Sequence, residues 1–181
     1  NNLINRSSPV QVGTLTNWSK IGTARFASAA IKTDGSLWII GGTIAALMGL
    51  NDAIDSRSSP VQIGTSSWSA VGIQFNSNQV NGAGFAIRID GALFSWGSNN
   101  NGLFGDNTAG LVYRSSPVQV GTSSWTSVGT GGNGAEYAVR SDNTFWTWSN
   151  NTYGILGLNS TIPYRSSPVQ IGAGTVKSFI K

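Results

Sequence analysis

Short apolar segments recur along the chain, and each is bounded by Gly, Ser, Asn or Asp. The three most regular segments, rich in aromatic and branched side chains, occupy residues 36–40, 92–96 and 144–148. Segments of this kind between turn residues predict β-strands. Asp34-Gly35 and Asp90-Gly91 directly precede two of them, and Asp-Gly favours a type I′ hairpin turn because both central residues need positive φ. The pattern therefore predicts antiparallel hairpins.

The segments belong to a unit that repeats along the chain. The string Arg-Ser-Ser-Pro-Val-Gln-(Val/Ile)-Gly begins at four positions, separated by 51, 57 and 51 residues. Its arginines are Arg6, Arg57, Arg114 and Arg165. A Trp follows each of the first three copies, then Ala-(Ile/Val)-(Lys/Arg)-x-Asp-(Gly/Asn), then an aromatic-rich segment ending in Gly. The Trp positions are Trp18, Trp68 and Trp125, and Val176 stands at this place after the fourth copy.

Each unit predicts four strands: one from the Trp, one at Ala-(Ile/Val)-(Lys/Arg), one in the aromatic segment and one at Pro-Val-Gln. Proline lacks the N–H of a ladder donor, which suits an outer edge strand. Four antiparallel strands in about 50 residues are typical of a β-propeller blade. We therefore predict an all-β chain that is one β-propeller segment, 1–181. Its blades are 14–64, 65–121 and 122–172, between the end of a preceding blade (1–13) and the start of a following one (173–181).

The third segment of the middle unit reads Leu-Phe-Ser-Trp-Gly-Ser-Asn-Asn-Asn-Gly-Leu-Phe-Gly at 93–105. This string, with the Ser-Pro and Asp-Gly elements, resembles the repeats of the regulator of chromosome condensation family. The resemblance implies a seven-bladed propeller, of which three full repeats are present. Open ends would expose unpaired strand edges, so further blades of the same polypeptide or pairing with other copies are expected. The first repeat departs from the pattern, with Ile40 at the strand-three Trp and Ala46 at the following Gly.

The amino-acid composition excludes several classes of function. Only 10% of the residues are charged, and the chain has no His and no Cys. Imidazole and thiolate chemistry are therefore absent, and abundant Ser lacks a partner that would activate it. The sequence predicts a protein that is not an enzyme, with no catalytic residues, no cofactor and no metal site. No apolar run reaches the length of about 18 residues that a membrane helix needs, so membrane insertion is not expected.

The repeated arginines and tryptophans are predicted to be structural. The positive charge of the four arginines equals the net charge of +4. One arginine per blade would be spread around a propeller, whereas phosphate binding requires clustered positive charge. We expect them to form hydrogen bonds in the fold, and we expect no nucleic-acid partner. The strict period of the Trp column favours packing between blades, over the alternative of stacking on bases or sugars.

The 57-residue unit is the main irregularity of the repeat. Its extra residues fall between Trp68 and Asp90, in the loop that joins strands one and two. Alternating strands put this loop on the same side as the long loops between strands three and four. Such loops vary where contacts are made, although neutral drift of a surface loop is an equal alternative. The predicted partner-binding residues are Gln74, Phe75, Asn76, Asn78, Asn100 and Tyr153.

Uniform repeats and a weakly charged surface favour a non-enzymatic structural or assembly protein that presents a repeat β-propeller surface. An extracellular fibre, an adhesin or a virion surface component would fit, with self-association as the interaction. The alternative is a cytoplasmic protein-interaction propeller that binds a specific protein partner through one loop face. A glycan-binding module is a third hypothesis.

Overall fold

The computed structural model describes residues 7–42, 45–54, 56–75 and 82–175. Within these ranges eleven strands form one sheet of four strands and one of seven, and every strand pair is antiparallel. The all-β fold class, with blades of four antiparallel strands, is thus confirmed. Three residues of the predicted sets, Arg6, Asn76 and Asn78, lie outside the described residues.

The four-stranded sheet is the first blade, and its strands follow chain order. They are β1 (Trp18–Thr23), β2 (Ala27–Lys32), β3 (Leu37–Gly41) and β4 (Arg57–Gln62). A single helical turn, α1 (Ala45–Met48), interrupts the loop between the last two strands. The innermost strand begins at the repeated Trp, and the outermost carries the Pro of the repeated string.

The seven-stranded sheet consists of two blades that share one long strand. It contains β5 (Trp68–Phe75), β6 (Gly82–Arg88), β7 (Ala92–Asn99), β8 (Val112–Thr130), β9 (Ala135–Arg140), β10 (Thr144–Asn150) and β11 (Tyr164–Thr175). The first part of β8 pairs with β7 as the outer strand of blade two. From Trp125 onward the same strand pairs with β9 as the inner strand of blade three. The sequence predicted two separate strands here.

The hairpins between strands two and three differ from the predicted turn type. Gly35 has φ of +84°, but neither Thr33 nor Asp34 is among the residues with positive φ. Gly35 N–H donates to Lys32 O at 2.9 Å, so the central residues are Thr33 and Asp34. This geometry is a type I turn followed by a left-handed glycine, the three-residue hairpin loop, and not type I′. The Asp34 carboxylate accepts the Ser36 N–H at 2.9 Å and holds the turn closed.

The buried core lies at the boundaries between blades. One apolar cluster joins the α1 loop of blade one to blade two, and a second joins the corresponding loop of blade two to blade three. The inner strands approach each other closely, since a Cβ added at Gly22 would lie 3.2 Å from Val71 O. Thr130 Oγ1 donates to Ile73 O at 3.0 Å across the next boundary. Gly22 therefore permits backbone-to-backbone packing of the inner strands of blades one and two.

A buried indole connects blade two to the loop of blade one, and another connects blade three to the loop of blade two. Trp96 Nε1 donates to Leu47 O at 2.8 Å, and Trp148 Nε1 donates to Leu103 O at 3.0 Å. Both indole rings are fully buried. A Cβ added at the glycine two residues beyond each acceptor would lie 2.8 Å from the indole nitrogen. We call the three-residue segments that receive the indole sockets: 47–49 in blade one, 103–105 in blade two and, by position, 155–157 in blade three.

A second repeated contact involves the first Ser of the repeated string. Asn51 N–H donates to Ser115 O at 2.6 Å, and Asn107 N–H donates to Ser166 O at 2.7 Å. The Ser115 hydroxyl returns a hydrogen bond to Asn51 Oδ1 at 3.0 Å. Each Asn lies two residues after its socket glycine, so the socket and the outer strand of the following blade are held together.

The sockets provide a matched pair of glycine substitutions. Gly105 (φ +74°) would place a Cβ against the Trp148 indole, whereas Gly157 (φ +67°) has open space around its Cβ position. We expect G157A to lower the free energy of unfolding by about 1 kcal/mol, from left-handed strain alone. G105A should lower it by about 1–3 kcal/mol more, because the indole must shift. Urea denaturation measures both. Equal losses for the two variants would contradict the socket.

Candidate functional site

One end of the described blades is formed by long loops. Because strands alternate in direction, the loops from strand one to two and from strand three to four lie at the same end. We call this end the loop face, and it comprises residues 24–26, 45–54, 100–111, 131–134 and 151–163. The opposite end carries the short hairpins between strands two and three. The loop face is therefore where sequence can vary without changing the sheets.

Buried asparagines give the large loops of blades two and three a defined shape. Asn99 Oδ1 accepts the Phe104 N–H at 3.0 Å, and its Nδ2 donates to Thr108 O at 3.2 Å. Asn151 makes the same kind of clamp, since its Oδ1 accepts the Leu156 N–H at 3.2 Å. Its Nδ2 reaches across the loop to Ser160 O and Ile162 O, both at 2.8 Å. Each loop is thus a fixed scaffold for the residues at its tip.

Tyr153 stands at the tip of the blade-three loop. Tyr153 is 92% exposed, and its backbone has φ of +67°. A bulky side chain in this region is an outlier that the surrounding structure must enforce. Blade two has Asn101 at this position, with φ of +55°, and Asn tolerates the conformation well. The loop is tied down beside it, because Asn150 Nδ2 donates to Asn133 O at 2.7 Å and its Oδ1 accepts the Thr152 N–H at 2.9 Å.

The other predicted partner-binding residues have different surroundings. Gln74 is only 4% exposed, and its Nε2 would lie 3.7 Å from a Cβ added at Gly134 of blade three. Its side chain therefore packs at a blade boundary and is withdrawn from the surface. Asn100 is partly buried, and Phe75 ends β5. Tyr153 is thus more accessible than Gln74 and Asn100.

The described arginines of the repeated string bond within their own blades. Arg114 pairs with Asp106 and also stacks over the Phe104 ring, with Cζ 4.3 Å from the centroid. Burial opposes ionisation of Asp106, but hydrogen bonds from Thr108 and Arg114 outweigh it, so the Asp106 pKa lies below its ordinary value. The corresponding contacts in the other blades are Arg57–Asp52 and Arg165–Ser160. These contacts hold one cation per blade against its own large loop.

A second cation column lies over the aromatic pairs of the blades. Lys32 Nζ is 3.6 Å from the Trp38 centroid, and Arg140 Cζ is 3.7 Å from the Trp146 centroid. Each of these rings meets the repeated Trp of its blade edge to face. In blade two the corresponding cation, Arg88, pairs with Asp90 at 2.6 Å, and its Cζ lies 5.0 Å from the Phe94 centroid.

Glu136 is a buried carboxyl that the sequence analysis did not single out as a site. It lies opposite Trp148 and Thr130 in the ladder, so its side chain faces blade two. It is 0% exposed, and neither carboxyl oxygen has a hydrogen-bond partner among the described residues. Blade two has Gly84 at this position, under the Trp96 ring. Burial raises the pKa of Glu136 well above its ordinary value of 4.5.

Comparison with solved structures identifies the fold. Human WBSCR16 matches with a TM-score of 0.69 and 18% identity, over 85% of this chain and 37% of that one. Prp20p from Saccharomyces cerevisiae, described with its binding properties to Gsp1p and histones, matches with 0.70 and 17%, over 87% and 39%. Yeast RCC1 (Prp20) bound to Kap60 matches with 0.68 and 16%, over 87% and 37%. No protein-family model and no curated protein sequence matches the chain.

The predicted resemblance to the regulator of chromosome condensation repeats is therefore confirmed at the level of the fold. The chain spans less than two fifths of the length of these solved structures. In the part of the chain that the structure describes, no helix is long and apolar enough to cross a membrane.

The buried carboxyl predicts a pH dependence. The unfolded chain ionises Glu136 near pH 4.5, whereas the folded chain resists ionisation to a higher pH. The stabilising effect of the protonated form is therefore complete below pH 4.5 and is lost as the pH rises through the pKa of the folded state. E136Q should remove this loss and gain on the order of 1 kcal/mol or more over the native chain at pH 8. Urea denaturation at pH 4 and pH 8 measures it. An equal difference between the two proteins at both pH values would refute the prediction.

Proposed function

We propose that the chain is part of a non-enzymatic, protein-interaction propeller that binds a protein partner through its loop face. The observation that carries this proposal is Tyr153, a nearly fully exposed aromatic side chain on a left-handed backbone. Such strain costs about 1–3 kcal/mol, and sequences retain it most often where the residue has a task. Tyrosine is also among the residues that dominate binding energy at protein interfaces.

The surroundings of Tyr153 favour a neutral, polar partner surface. Its neighbours on the loop face are asparagines and threonines, including Asn133, Asn150 and Thr152. The three repeated arginines that the structure describes bond to their own loops and form no basic stripe for phosphates. Adaptable amide contacts around one rigid aromatic ring are typical of protein-binding surfaces.

The solved structures with this fold support the same class of function. Prp20p is described as binding Gsp1p and histones, and yeast RCC1 was solved in a complex with Kap60. Protein binding and the cytoplasmic alternative are therefore preferred here over an extracellular fibre, an adhesin, a virion component or a glycan-binding module.

The test places a photo-crosslinking amino acid at position 153 and, as a control, at position 89. Ile89 is 71% exposed and lies on a hairpin at the opposite end of the blades. A protein crosslinked from position 153 and not from position 89 is then purified and titrated against the native chain. We expect Y153N to weaken this binding about tenfold or more, a loss of roughly 1.4 kcal/mol, and I89N to leave it unchanged.

Y153N is expected to increase the stability of the fold, although it weakens binding. Y153N reproduces Asn101 of blade two, so it should raise the free energy of unfolding by about 1 kcal/mol through relief of left-handed strain. A more stable variant that binds less tightly cannot be explained by unfolding. Equal affinity of Y153N and the native chain for the purified partner would overturn the proposed role of the loop face.

A further inference from the structure

The cation at the end of strand two has different partners in blades two and three. In blade two, Arg88 Nε donates to both carboxylate oxygens of Asp90 at 3.0 Å, and its Nη2 donates at 2.6 Å. In blade three, Arg140 takes part in none of the ion pairs of the described chain, and its buried Nε has no partner among the described residues. Its Cζ lies 3.7 Å from the Trp146 centroid. An aromatic ring therefore holds Arg140 while its donors stay available.

The residue that follows the hairpin explains this difference. Thr144 donates its N–H and its hydroxyl to Asp142 Oδ1, at 3.0 and 2.6 Å. The same hydroxyl accepts the Trp146 Nε1 hydrogen at 2.7 Å. Blade two has Ala92 at this position, so only a backbone N–H reaches Asp90, at 3.2 Å. Thr144 thus engages the carboxylate of its own hairpin, and the neighbouring cation keeps its donors.

Arg140 lines a cleft between blades two and three, both of which the structure describes. The cleft has a volume of about 270 Å³, below the usual range for drug-sized ligands, so it suits a small group. Its uncharged lining residues supply an apolar wall and two hydroxyls, from Val120, Trp125, Pro168, Ser123 and Ser167.

The cleft has one positive charge to offer to a ligand. The charged residues that line it are Arg140 and Asp106. Asp106 is already paired with Arg114, and the Thr108 hydroxyl also donates to it. A ligand with a single negative charge would therefore balance the charge of Arg140. A dianion such as phosphate would bring excess negative charge close to Asp106.

We propose that this cleft binds a carboxylate that is attached to a small apolar group, with Arg140 as the partner of the carboxylate. The planar guanidinium matches the two oxygens of a carboxylate, and a ring against its face leaves its edge free to donate. The apolar group packs against Trp125 and Pro168. Small organic acids and the acidic side chains of peptides share this chemistry. Tyr153 does not line the cleft, so the site does not depend on the proposed partner.

Titration of the isotope-labelled chain with phenylacetate, followed by NMR through the indole N–H signals, tests the proposal. We expect saturable shifts of the Trp125 and Trp146 signals, and we expect neutral phenylacetamide to bind about tenfold more weakly. R140M should remove the difference between the two ligands, whereas R88M, at the matched position of blade two, should leave it unchanged. Equal affinity of the native chain for phenylacetate and phenylacetamide would overturn the proposal. Tighter binding of inorganic phosphate than of phenylacetate would overturn it too.

A capped tripeptide with a central Glu separates the two sources of the carboxylate. Tighter binding of this peptide than of phenylacetate would assign the site to an acidic side chain of a peptide. Tighter binding of phenylacetate would assign it to a small organic acid. Either result supports the role of Arg140, provided that R140M weakens the binding of the preferred ligand.

A second set of variants tests whether Thr144 keeps the site open. T144A gives blade three the hairpin of blade two, so Asp142 should pair with Arg140 and the binding of phenylacetate should weaken. D142N removes the competing carboxylate, so T144A/D142N should recover binding relative to T144A alone. Additive effects of the two substitutions would show that Asp142 does not compete for Arg140 and would refute this role of Thr144.

Discussion

The burial of one indole at each blade boundary is the constraint on which the rest of the fold depends. A buried indole N–H needs an acceptor, and Trp96 and Trp148 find it in a carbonyl of the preceding blade's large loop. That loop must therefore turn so that its carbonyl faces the ring, with a glycine where a Cβ would strike it. The buried asparagine clamp and the bond to the next outer strand follow from the same requirement. The indole N–H of one blade thus determines the shape of the large loop of the preceding blade, and the exposed tip of that loop is where the sequence varies.

The hydrogen bonds that hold the large loop explain how a rigid core can support a surface whose residues vary. The socket glycine Gly157 and the clamp residue Asn151 lie within a few residues of Tyr153, and both form hydrogen bonds that do not involve its side chain. The tip residue can therefore change without cost to the blade boundary. A strained tyrosine is tolerated at this tip because the hydrogen bonds of Asn151, and not the side chain at the tip, determine the backbone conformation of the loop.

The repeat made the fold predictable, while the roles of single residues were harder to foresee. Period and turn residues sufficed for four antiparallel strands per blade. Gln74 was predicted at the surface because it borders the longer loop, but β5 continues past it and the side chain turns into the boundary with blade three. The hairpin type was wrong because Asp-Gly also suits a type I turn whose glycine comes third. The Trp96 contact spans 49 residues along the chain, and no local pattern reveals such a partner.

The informative positions are those where one repeat departs from the others, once register shows what the departure replaces. Glu136 replaces a glycine that lies under an indole, Tyr137 a phenylalanine, and Ile40 a tryptophan. Ile40 alone reads as decay of the first repeat, and Tyr137 alone as a neutral exchange of aromatic residues. Tyr137 supplies the Ile155 carbonyl with a donor from its own blade, and Ile40 leaves blade one without an indole N–H at this register position.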